Sequence, residues 1–304
     1  MSVAAVVVTY NRKEELLKNL HAILGQTRLV DRYYVIDNHG SDGTEEILRE
    51  DGILDNAVIE YVYLPENIGG AGGFYTGVKQ AYDAGYDYIC LMDDDGRPSD
   101  DRMMEQLLKV AEKLHSKNPK LMLNSLVLDL DGERMAFGLT GLNSKDEACA
   151  KAQDGLLYGT INPFNGTLIS KELVAEIGFP NPAFFIKGDE EDYQLRAVKA
   201  GALIATVTDA VYLHPLAEKK SIRIGRKVLS ETTEASWKEY YRARNLTCIF
   251  HREGMNGVWM RHVVRQSLLA LRYSDTRVKT VLRIMKGCLH GLFGKLGRTI
   301  EPGR

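Results

Sequence analysis

Short apolar runs alternate with helix-like spacing through the first hundred residues. The runs are mostly β-branched or aromatic and predict four strands, Val3–Val8, Tyr33–Ile36, Ile59–Leu64 and Tyr88–Met92. Between and after them, apolar residues recur at helical intervals and predict helices at about residues 16–24, from 44, at 74–84 and after 99. Strands separated by helices indicate βαβ units, so we expect an α/β, Rossmann-like fold with a mostly parallel sheet flanked by helices.

The pattern becomes more mixed beyond Lys120, with short strands predicted around Leu121–Leu128 and Gly159–Ile169. Residues 219–234 are polar and lack periodicity, which predicts a mobile loop. Beyond Trp237 the spacing is helical again. The expected organisation is therefore an α/β domain over residues 1–217, a mobile loop over 218–235 and a helical, basic region over 236–304.

The last helical segment is amphipathic and basic. Residues 261–304 carry ten Lys or Arg against two Asp or Glu, and an apolar stripe runs through Val278, Leu282, Met285, Leu289, Leu292 and Leu296. Such a helix suits an anionic membrane surface as a peripheral contact. An ordinary helix packed on the core would show the same stripe, and the sequence leaves both interpretations open.

Composition narrows the class of protein. With 304 residues, 44% hydrophobic and 26% charged, the chain is typical of a soluble globular protein with a substantial core. A net charge of -2 provides no drive towards nucleic acid, and four widely spaced cysteines indicate neither a zinc site nor a disulfide framework. No signal peptide or membrane-spanning run is visible, so we expect a cytoplasmic location.

Polar clusters follow all four predicted strands. They are Thr9–Arg12, Asp37–Asn38, Glu66–Asn67 and Asp93–Asp95. In open α/β sheets, ligands bind at the carboxyl ends of the strands. The sequence therefore predicts one binding site along that edge.

The triplet Asp93–Asp95 indicates a metal site. Three carboxylates where a strand leaves the core repel one another unless a cation binds there. Mg²⁺ or Mn²⁺ prefers such oxygen ligands and commonly also holds phosphate oxygens. Because alternate residues project the same way, Asp93 and Asp95 can share one ion while Asp94 turns aside. Taken alone, the triplet could equally be a solvated acidic turn.

An ordered set of motifs resembles the family 2 glycosyltransferases of the GT-A fold. Over residues 3 to 250 the set comprises VVVTYNR, VIDNHGSDGT, ENIGGAGGF, LMDDDG, FFIKGDEEDYQLR, LHP and YYRARN. The third and fifth motifs look most like galactofuranosyltransferases, with bacterial rhamnosyltransferases next. The resemblance implies a nucleotide-sugar donor and a glycan acceptor that is lipid-linked at the inner face of the cell membrane.

The resemblance also implies roles on the donor side. It assigns Asp93 and Asp95 as metal ligands of a DxD motif, His214 as a third ligand, and Asp94 as a contact to ribose or sugar. Asp37 would accept the pyrimidine N3–H, which uracil and thymine both present; an Asx-type turn is its other interpretation. The remaining donor-binding residues would be Thr9 and Arg12 at the nucleotide and diphosphate, and Asn67, Gly69, Gly70, Gly72 and Gly73 in a loop that admits the donor.

On the acceptor side, alignment with the family's motif places Glu190 at the position of the general base. The family more usually has Asp there, so Asp189 is the second candidate. The four acids Asp189–Asp192 could instead complement the dipole at a helix N-terminus. The segment Tyr240–Asn245 matches a motif that shapes the site, although packing alone would explain its tyrosines.

These roles predict an inverting transfer in one displacement, with UDP-galactofuranose as the first choice of donor and dTDP-rhamnose as the second. A sugar nucleotidyltransferase is disfavoured because no glycine-rich triphosphate loop follows the first strand. A non-catalytic nucleotide-sugar-binding module is the remaining alternative. The acidic clusters argue against it.

Overall fold

The structure is a computed structural model that describes residues 1–139, 141–216, 219–225 and 227–301, with only the backbone of residues 224, 227 and 229–231. The chain divides into two compact units. We call Met1–Pro180 with Tyr193–Leu216 the α/β unit, and Asn181–Asp192 with Ala217–Arg304 the helical unit. The acidic segment 189–192, which the sequence placed in the α/β domain, thus groups with the C-terminal helices.

Eleven strands form the sheet of the α/β unit. They are β1 (Val3–Thr9), β2 (Arg32–Asp37), β3 (Ile59–Tyr63), β4 (Tyr88–Asp93), β5 (Arg97–Pro98), β6 (Leu121–Leu128), β7 (Arg134–Leu139), β8 (Leu142–Ser144), β9 (Leu156–Tyr158), β10 (Thr167–Ser170) and β11 (Leu203–Leu213). The helices are α1 (Lys13–Leu24), α2 (Thr44–Glu50), α3 (Gly69–Asp83), α4 (Met103–His115), α5 (Lys145–Lys151), α6 (Lys171–Ile177) and α7 (Asp189–Lys199), which begins in the helical unit.

The sheet has a parallel half and a mixed half. Along its main path the order is β3-β2-β1-β4-β10-β6-β11-β5. The first four strands are parallel, β10 is antiparallel to both its neighbours, and β6 and β11 are parallel to each other. The expected βαβ units therefore account for the first four strands, and antiparallel strands join them beyond β4.

Strand β1 shows why the sheet is buried on both faces. Its side chains at Val3, Ala5 and Val7 pack with α1 and α4. Those at Val6 and Val8 pack with α3 and α6 on the other face. Successive side chains of a strand point to opposite faces, so an apolar strand fits only between two layers. This explains why the run Val3–Val8 is apolar at every position.

Helix α3 differs from its prediction. It begins at Gly69 rather than near Phe74, so residues Gly69–Gly73 are helical instead of forming a loop. A Cβ on Gly73 would overlap Val8, and one on Gly72 would overlap Ile68. Gly73 lets the helix approach β1 closely, and this tertiary contact overrides the low helix propensity from which the loop was inferred.

The helical unit contains three long helices, α8 (Ser236–Arg252), α9 (Asn256–Tyr273) and α10 (Arg277–Leu292). Where the sequence predicted a loop without regular structure, β12 (Lys219–Ile224) and β13 (Lys227–Thr232) pair as an antiparallel hairpin. The mobility of this segment stays a prediction, and its residues 217, 218 and 226 lie outside the described part of the chain. Over the described residues, no helix is both long and apolar enough to cross a membrane.

Candidate active site

Strand register brings the predicted donor-binding residues of the α/β unit to one edge. Thr9, the last residue of β1, pairs with Asp37 at the end of β2. On its other side β1 pairs with β4, and Val8 lies opposite Asp93. Parallel strands that end together therefore place three of the four predicted clusters side by side.

A group of two carboxylates and one imidazole lies at this edge. One ligand atom each from Asp93, Asp95 and His214 lies within 4.8 Å of the other two. The antiparallel pairing of Leu213 with Arg97 carries His214 to the chain segment that follows the triplet. His214 Nε2 lies 3.0 Å from Asp95 Oδ1.

The chemistry of this donor set fits a divalent cation. Carboxylate oxygens suit Mg²⁺ or Mn²⁺, and an imidazole nitrogen is a ligand that Mn²⁺ accepts more readily than Mg²⁺. Burial opposes the charge on Asp95, but hydrogen bonding and charge from His214 and the charge of Arg12 outweigh it and lower the pKa of this carboxyl. Asp95 is therefore held as a carboxylate, the form that binds metal.

Asp94 turns away from this group, as strand alternation predicts. Its carboxyl is buried and accepts hydrogen bonds from Thr9 Oγ1 at 2.9 Å and Arg12 Nη1 at 3.1 Å. Burial raises its pKa to about 6 against the opposing charge of Arg12. Arg12 also donates to Asp95 Oδ2 at 2.6 Å, so one guanidinium links two of the three acids.

A buried polar network that the sequence analysis missed supports the backbone of the triplet. Tyr212 donates its hydroxyl to the carbonyl of Asp93 at 3.0 Å, and Asn19 Nδ2 donates to the carbonyl of Gly96 at 2.7 Å. Tyr33 donates in turn to Asn19 Oδ1. The available signal was an asparagine on the apolar face of α1, where a polar side chain requires buried partners.

Asp37 forms the Asx-type turn that was its alternative interpretation. Its Oδ1 accepts the backbone N–H of Gly40 at 2.7 Å, and its Oδ2 accepts the hydroxyl of Tyr61 at 2.6 Å. The carboxyl is buried. Because each carboxylate oxygen can accept more than one hydrogen bond, the turn leaves acceptor capacity for a pyrimidine N3–H.

The predicted glycine loop separates into packing and open positions. Asn67 Oδ1 accepts the N–H of Gly69 at 2.9 Å and so orders the entry to α3. Gly72 and Gly73 are used in packing, whereas a Cβ at Gly70 would meet no atom within 4 Å. Of the glycines proposed to admit the donor, Gly70 has open space beside it.

The four acids of the helical unit have different surroundings. Asp192 is buried and pairs with Arg252 Nη2 at 2.6 Å. Asp189 is also buried, and burial, followed by the charge and hydrogen bonding of Glu190, raises its pKa well above the ordinary value. Glu191 is exposed and Glu190 partly exposed. The cluster is thus not a uniformly solvated helix end.

Asn245 of α8 holds the loop that leads into these acids. Its side-chain amide donates to the carbonyls of Phe184 at 2.9 Å, Ile186 at 3.0 Å and Lys187 at 2.6 Å. Phe185 and Lys187 have positive φ angles of 65° and 67°, a conformation unfavourable for such side chains. The two N–H groups of this one side chain, which three carbonyls share, stabilise this unusual path.

Arg244, the residue before Asn245, is fully buried and supports the same loop. Its Nη2 donates to the carbonyl of Phe184 at 2.9 Å, and its Nε donates to Asn245 Oδ1 at 2.8 Å. The segment 240–245, for which packing alone was the alternative, therefore positions the acidic segment as well.

Comparison with known proteins identifies the family. The model of "Glycosyl transferase family 2" matches residues 4–118. The galactofuranosyltransferase GlfT1 of Mycobacterium tuberculosis (strain H37Rv) is 34% identical over 271 residues, which cover 86% of this chain and 87% of that protein. The chain belongs to glycosyl transferase family 2. This family 2 member is therefore a glycosyltransferase, and the resemblance found in its motifs is confirmed.

One further relative and two solved structures also resemble this family 2 chain. The dTDP-rhamnosyl transferase RfbF of Shigella flexneri is 23% identical, covering 80% of this chain and 78% of that protein. A crystal structure of GalNAc-T7 with UDP, GalNAc and Mn²⁺ has a TM-score of 0.57 at 13% identity and covers 83% of this chain and 48% of that one.

The structure of S. aureus TarS residues 1-349 has a TM-score of 0.52 at 14% identity, covering 97% of this chain and 92% of that one. Such identities show the fold alone. The predicted GT-A fold with a helical C-terminal region is confirmed.

Proposed function

We propose that this glycosyltransferase moves galactofuranose from UDP-galactofuranose to a hydroxyl of a lipid-linked glycan, with inversion and with a divalent metal, in cell-surface polysaccharide assembly. The observation that carries the chemistry is the convergence of Asp93, Asp95 and His214 within 4.8 Å at the carboxyl edge of the sheet. The choice of sugar is supported by the 34% identity to GlfT1.

On the donor side, Asp93, Asp95 and His214 would hold Mn²⁺ or Mg²⁺. A bound ion would supply charge neutralisation to the leaving diphosphate. Arg12 adds a fixed positive charge beside Asp94 and Asp95, and the same guanidinium can donate to phosphate oxygens.

The recognition of the nucleotide is assigned to residues around the ends of β1 and β2. Asp37 accepts the pyrimidine N3–H, Thr9 lies beside Asp94, and Asp94 contacts ribose or sugar. Asn67, Gly69 and Gly70 line the entry to α3, where Gly70 leaves room for the donor. Gly73 stays a proposed donor contact through its backbone, although packing against Val8 also requires that it lack a side chain.

On the acceptor side, Glu190 is the general base. It takes the proton of the attacking hydroxyl while the oxygen forms a bond to the anomeric carbon and the bond to the diphosphate oxygen breaks. Asp189, the second candidate, is buried, and burial and the charge of Glu190 raise its pKa, which disfavours the deprotonated form that a base needs. Glu190 is the more accessible of the two acids.

A rhamnosyl transfer from dTDP-rhamnose is the second candidate. It is favoured by the 23% identity to RfbF, and Asp37 does not discriminate against it because thymine also presents an N3–H. Both candidates use the same metal and base.

Nucleotide release from each donor, with Mn²⁺ and with EDTA, tests the proposal. We expect metal-dependent release of UDP from UDP-galactofuranose in the presence of a lipid-linked glycan acceptor. Release of dTDP alone would overturn the sugar and keep the mechanism. Release that EDTA leaves unchanged would overturn the metal assignment.

A lipid-linked acceptor requires that the enzyme work at a membrane, and we place it at the inner face of the cell membrane. A surface that contacts lipid would serve this purpose. The helical unit carries a candidate.

A further inference from the structure

Helix α10 presents its apolar stripe to solvent. The relative exposures are 68% for Val278, 63% for Leu282, 51% for Met285, 54% for Leu289 and 85% for Phe293, the residue that follows the helix. Most surface helices bury such a row against the core. Here the row faces outward, which excludes a helix packed on the core through this stripe.

The opposite face of α10 is the one that packs. Ile284 is fully buried, and a Cβ on Gly287 or Gly291 would overlap the backbone of α8 at Tyr240 or Arg244. The helix is therefore fixed by close contact with α8, and its outward row cannot turn inward without a steric clash.

Basic residues border the outward row. Lys279 and Lys286 are exposed and stand three residues before and four residues after Leu282, which makes both its neighbours on the helix surface. Over residues 256–292 the chain has seven Lys or Arg and a single acid, Asp275. An apolar row with a basic border is the pattern of a helix that lies in a membrane interface.

Helix α9 repeats the pattern. Met260, Val264 and Leu271 are 51%, 49% and 46% exposed, and Arg261 and Arg272 are exposed on the same helix. Helices α9 and α10 pack on each other through an apolar cluster that includes Ala270 and Ile284. Two neighbouring helices thus leave apolar rows uncovered beside positive charge.

We propose that the outward rows of α10 and α9, which we call the interfacial surface, lie in the headgroup region of an anionic lipid bilayer. The apolar side chains enter the acyl boundary while the lysines and arginines contact lipid phosphates. Charge favours this occupant over a second copy of the chain, because two such surfaces would bring like charges together. The proposal rests on the membrane location given in the proposed function and names the surface responsible. Because binding requires neither donor nor metal, failure to bind vesicles would leave the assignment of sugar transfer untouched.

Co-sedimentation of the full chain with vesicles tests the interfacial surface. We expect binding to vesicles of phosphatidylcholine with phosphatidylglycerol, and weaker binding to phosphatidylcholine alone or at high salt. The double variant Leu282→Glu/Leu289→Glu should bind at least about tenfold more weakly, because it places charge in the acyl boundary.

The matched control is Leu29→Glu/Leu130→Glu in the α/β unit, where the two leucines are 51% and 47% exposed. It should bind like the unchanged chain, and thermal melts should show both double variants folded. The charge-reversal variant Lys279→Glu/Lys286→Glu should lose the preference for anionic lipid.

Equal binding by the α10 variant and the control would overturn the proposal. A concentration-dependent dimer in analytical ultracentrifugation that Leu282→Glu/Leu289→Glu dissociates, without lipid binding by the unchanged chain, would assign the surface to a second copy instead.

Discussion

The two acidic clusters of this glycosyltransferase are built in different ways. Asp93–Asp95 follow a central strand, and their partners Thr9, Arg12 and His214 come from the same sheet edge. Asp189–Asp192 begin a helix, and the loop before them is held by side chains of α8 more than fifty residues later.

The difference shows how far the position of each acidic cluster depends on the element that carries it and how far on distant side chains. Strand pairing aligns the first cluster, because the parallel strands end together and the antiparallel pairing of β5 with β11 adds His214. The second cluster depends on hydrogen bonds from Arg244 and Asn245 to a loop with two positive φ angles. Substitutions of the ligands in the first cluster and of Glu190 should therefore affect the chemistry directly, whereas substitutions in α8 should act through the position of the second cluster.

The largest effect should come from Asp95→Asn. Loss of this ligand should lower metal-dependent transfer by roughly 1000-fold, because the charge that neutralises the diphosphate would be poorly held. Mn²⁺-dependent nucleotide release measures it. Asp83→Asn, an exposed acid on α3, is the control and should retain activity. If Asp95→Asn kept its metal dependence and rate, the metal group would be misassigned.

Glu190→Gln should come next. Transfer should fall by about 100-fold or more while donor binding is unchanged, because a general base acts only on the hydroxyl proton. Single-turnover transfer and donor titration separate the two quantities. Glu191→Gln removes the neighbouring acid, whose pKa desolvation and the charge of Glu190 raise to about 8, and it should be nearly silent if Glu190 is the base. A loss in Glu191→Gln with none in Glu190→Gln would reverse the assignment.

Asn245→Ala tests the dependence of the second cluster on α8. It removes the two N–H donors that three carbonyls share, at about 1 kcal/mol each, so the free energy of unfolding should fall by roughly 2 kcal/mol. Transfer should fall by about tenfold at unchanged donor affinity, because the base is less well positioned.

Urea unfolding and steady-state kinetics give both quantities for Asn245→Ala. The exposed Asn143 provides a control, whose replacement by Ala should cost less than about 0.5 kcal/mol. Weakened donor binding in Asn245→Ala would show that the two clusters are not independent in the way described above.

Two glycines of α3, Gly73 and Gly70, allow packing and donor binding beside the first cluster to be tested separately. Gly73→Ala should destabilise the chain by about 2 kcal/mol, because its Cβ would overlap Val8. Gly70→Ala should preserve or raise stability by up to about 1 kcal/mol, since its Cβ meets open space in a helix. Thermal melts measure stability. Unchanged donor affinity in Gly70→Ala would remove Gly70 from the donor site.

The smallest effect is the pH dependence due to Asp189. Because the pKa of Asp189 is raised on folding, the folded chain binds more protons than the unfolded chain. The free energy of unfolding should therefore fall as the pH rises above 3.8, the ordinary pKa of this carboxyl. Asp189→Asn should therefore reduce the loss of stability between about pH 5 and about pH 8. Urea unfolding at both values measures it, with the exposed Asp55→Asn as control. A steeper loss in Asp189→Asn would give the shift the opposite sign.

The fold of the first four strands could be predicted because each strand is a short apolar run that ends in polar residues. The triplet could be predicted for the same reason, since three acids after a buried strand require a partner. The proximity of His214 could not be derived from spacing, because the pairing of β5 with β11 that brings it there joins distant segments. The resemblance to the family supplied it.

Other features could not be predicted because they depend on tertiary contacts between residues distant in the sequence. The early start of α3 depends on the contact between Gly73 and Val8, and Asn19 and Tyr212 reveal their roles only in the assembled sheet. The sequence showed the apolar stripe on α10, but it did not show whether the stripe faces the core or the solvent. Gly287 and Gly291 on the opposite face were the overlooked signal, because glycines four residues apart allow close helix contact.

These two glycines have a further consequence. Helix α8 contacts α10 through them on one side, and on another its Asn245 holds the loop that leads to Glu190. The spacing between the interfacial surface and the base is therefore set by a helix pair that has no room to slide. In a bilayer-bound enzyme such a pair would fix the height of the base above the lipid. An acceptor hydroxyl would have to lie at that height to be glycosylated.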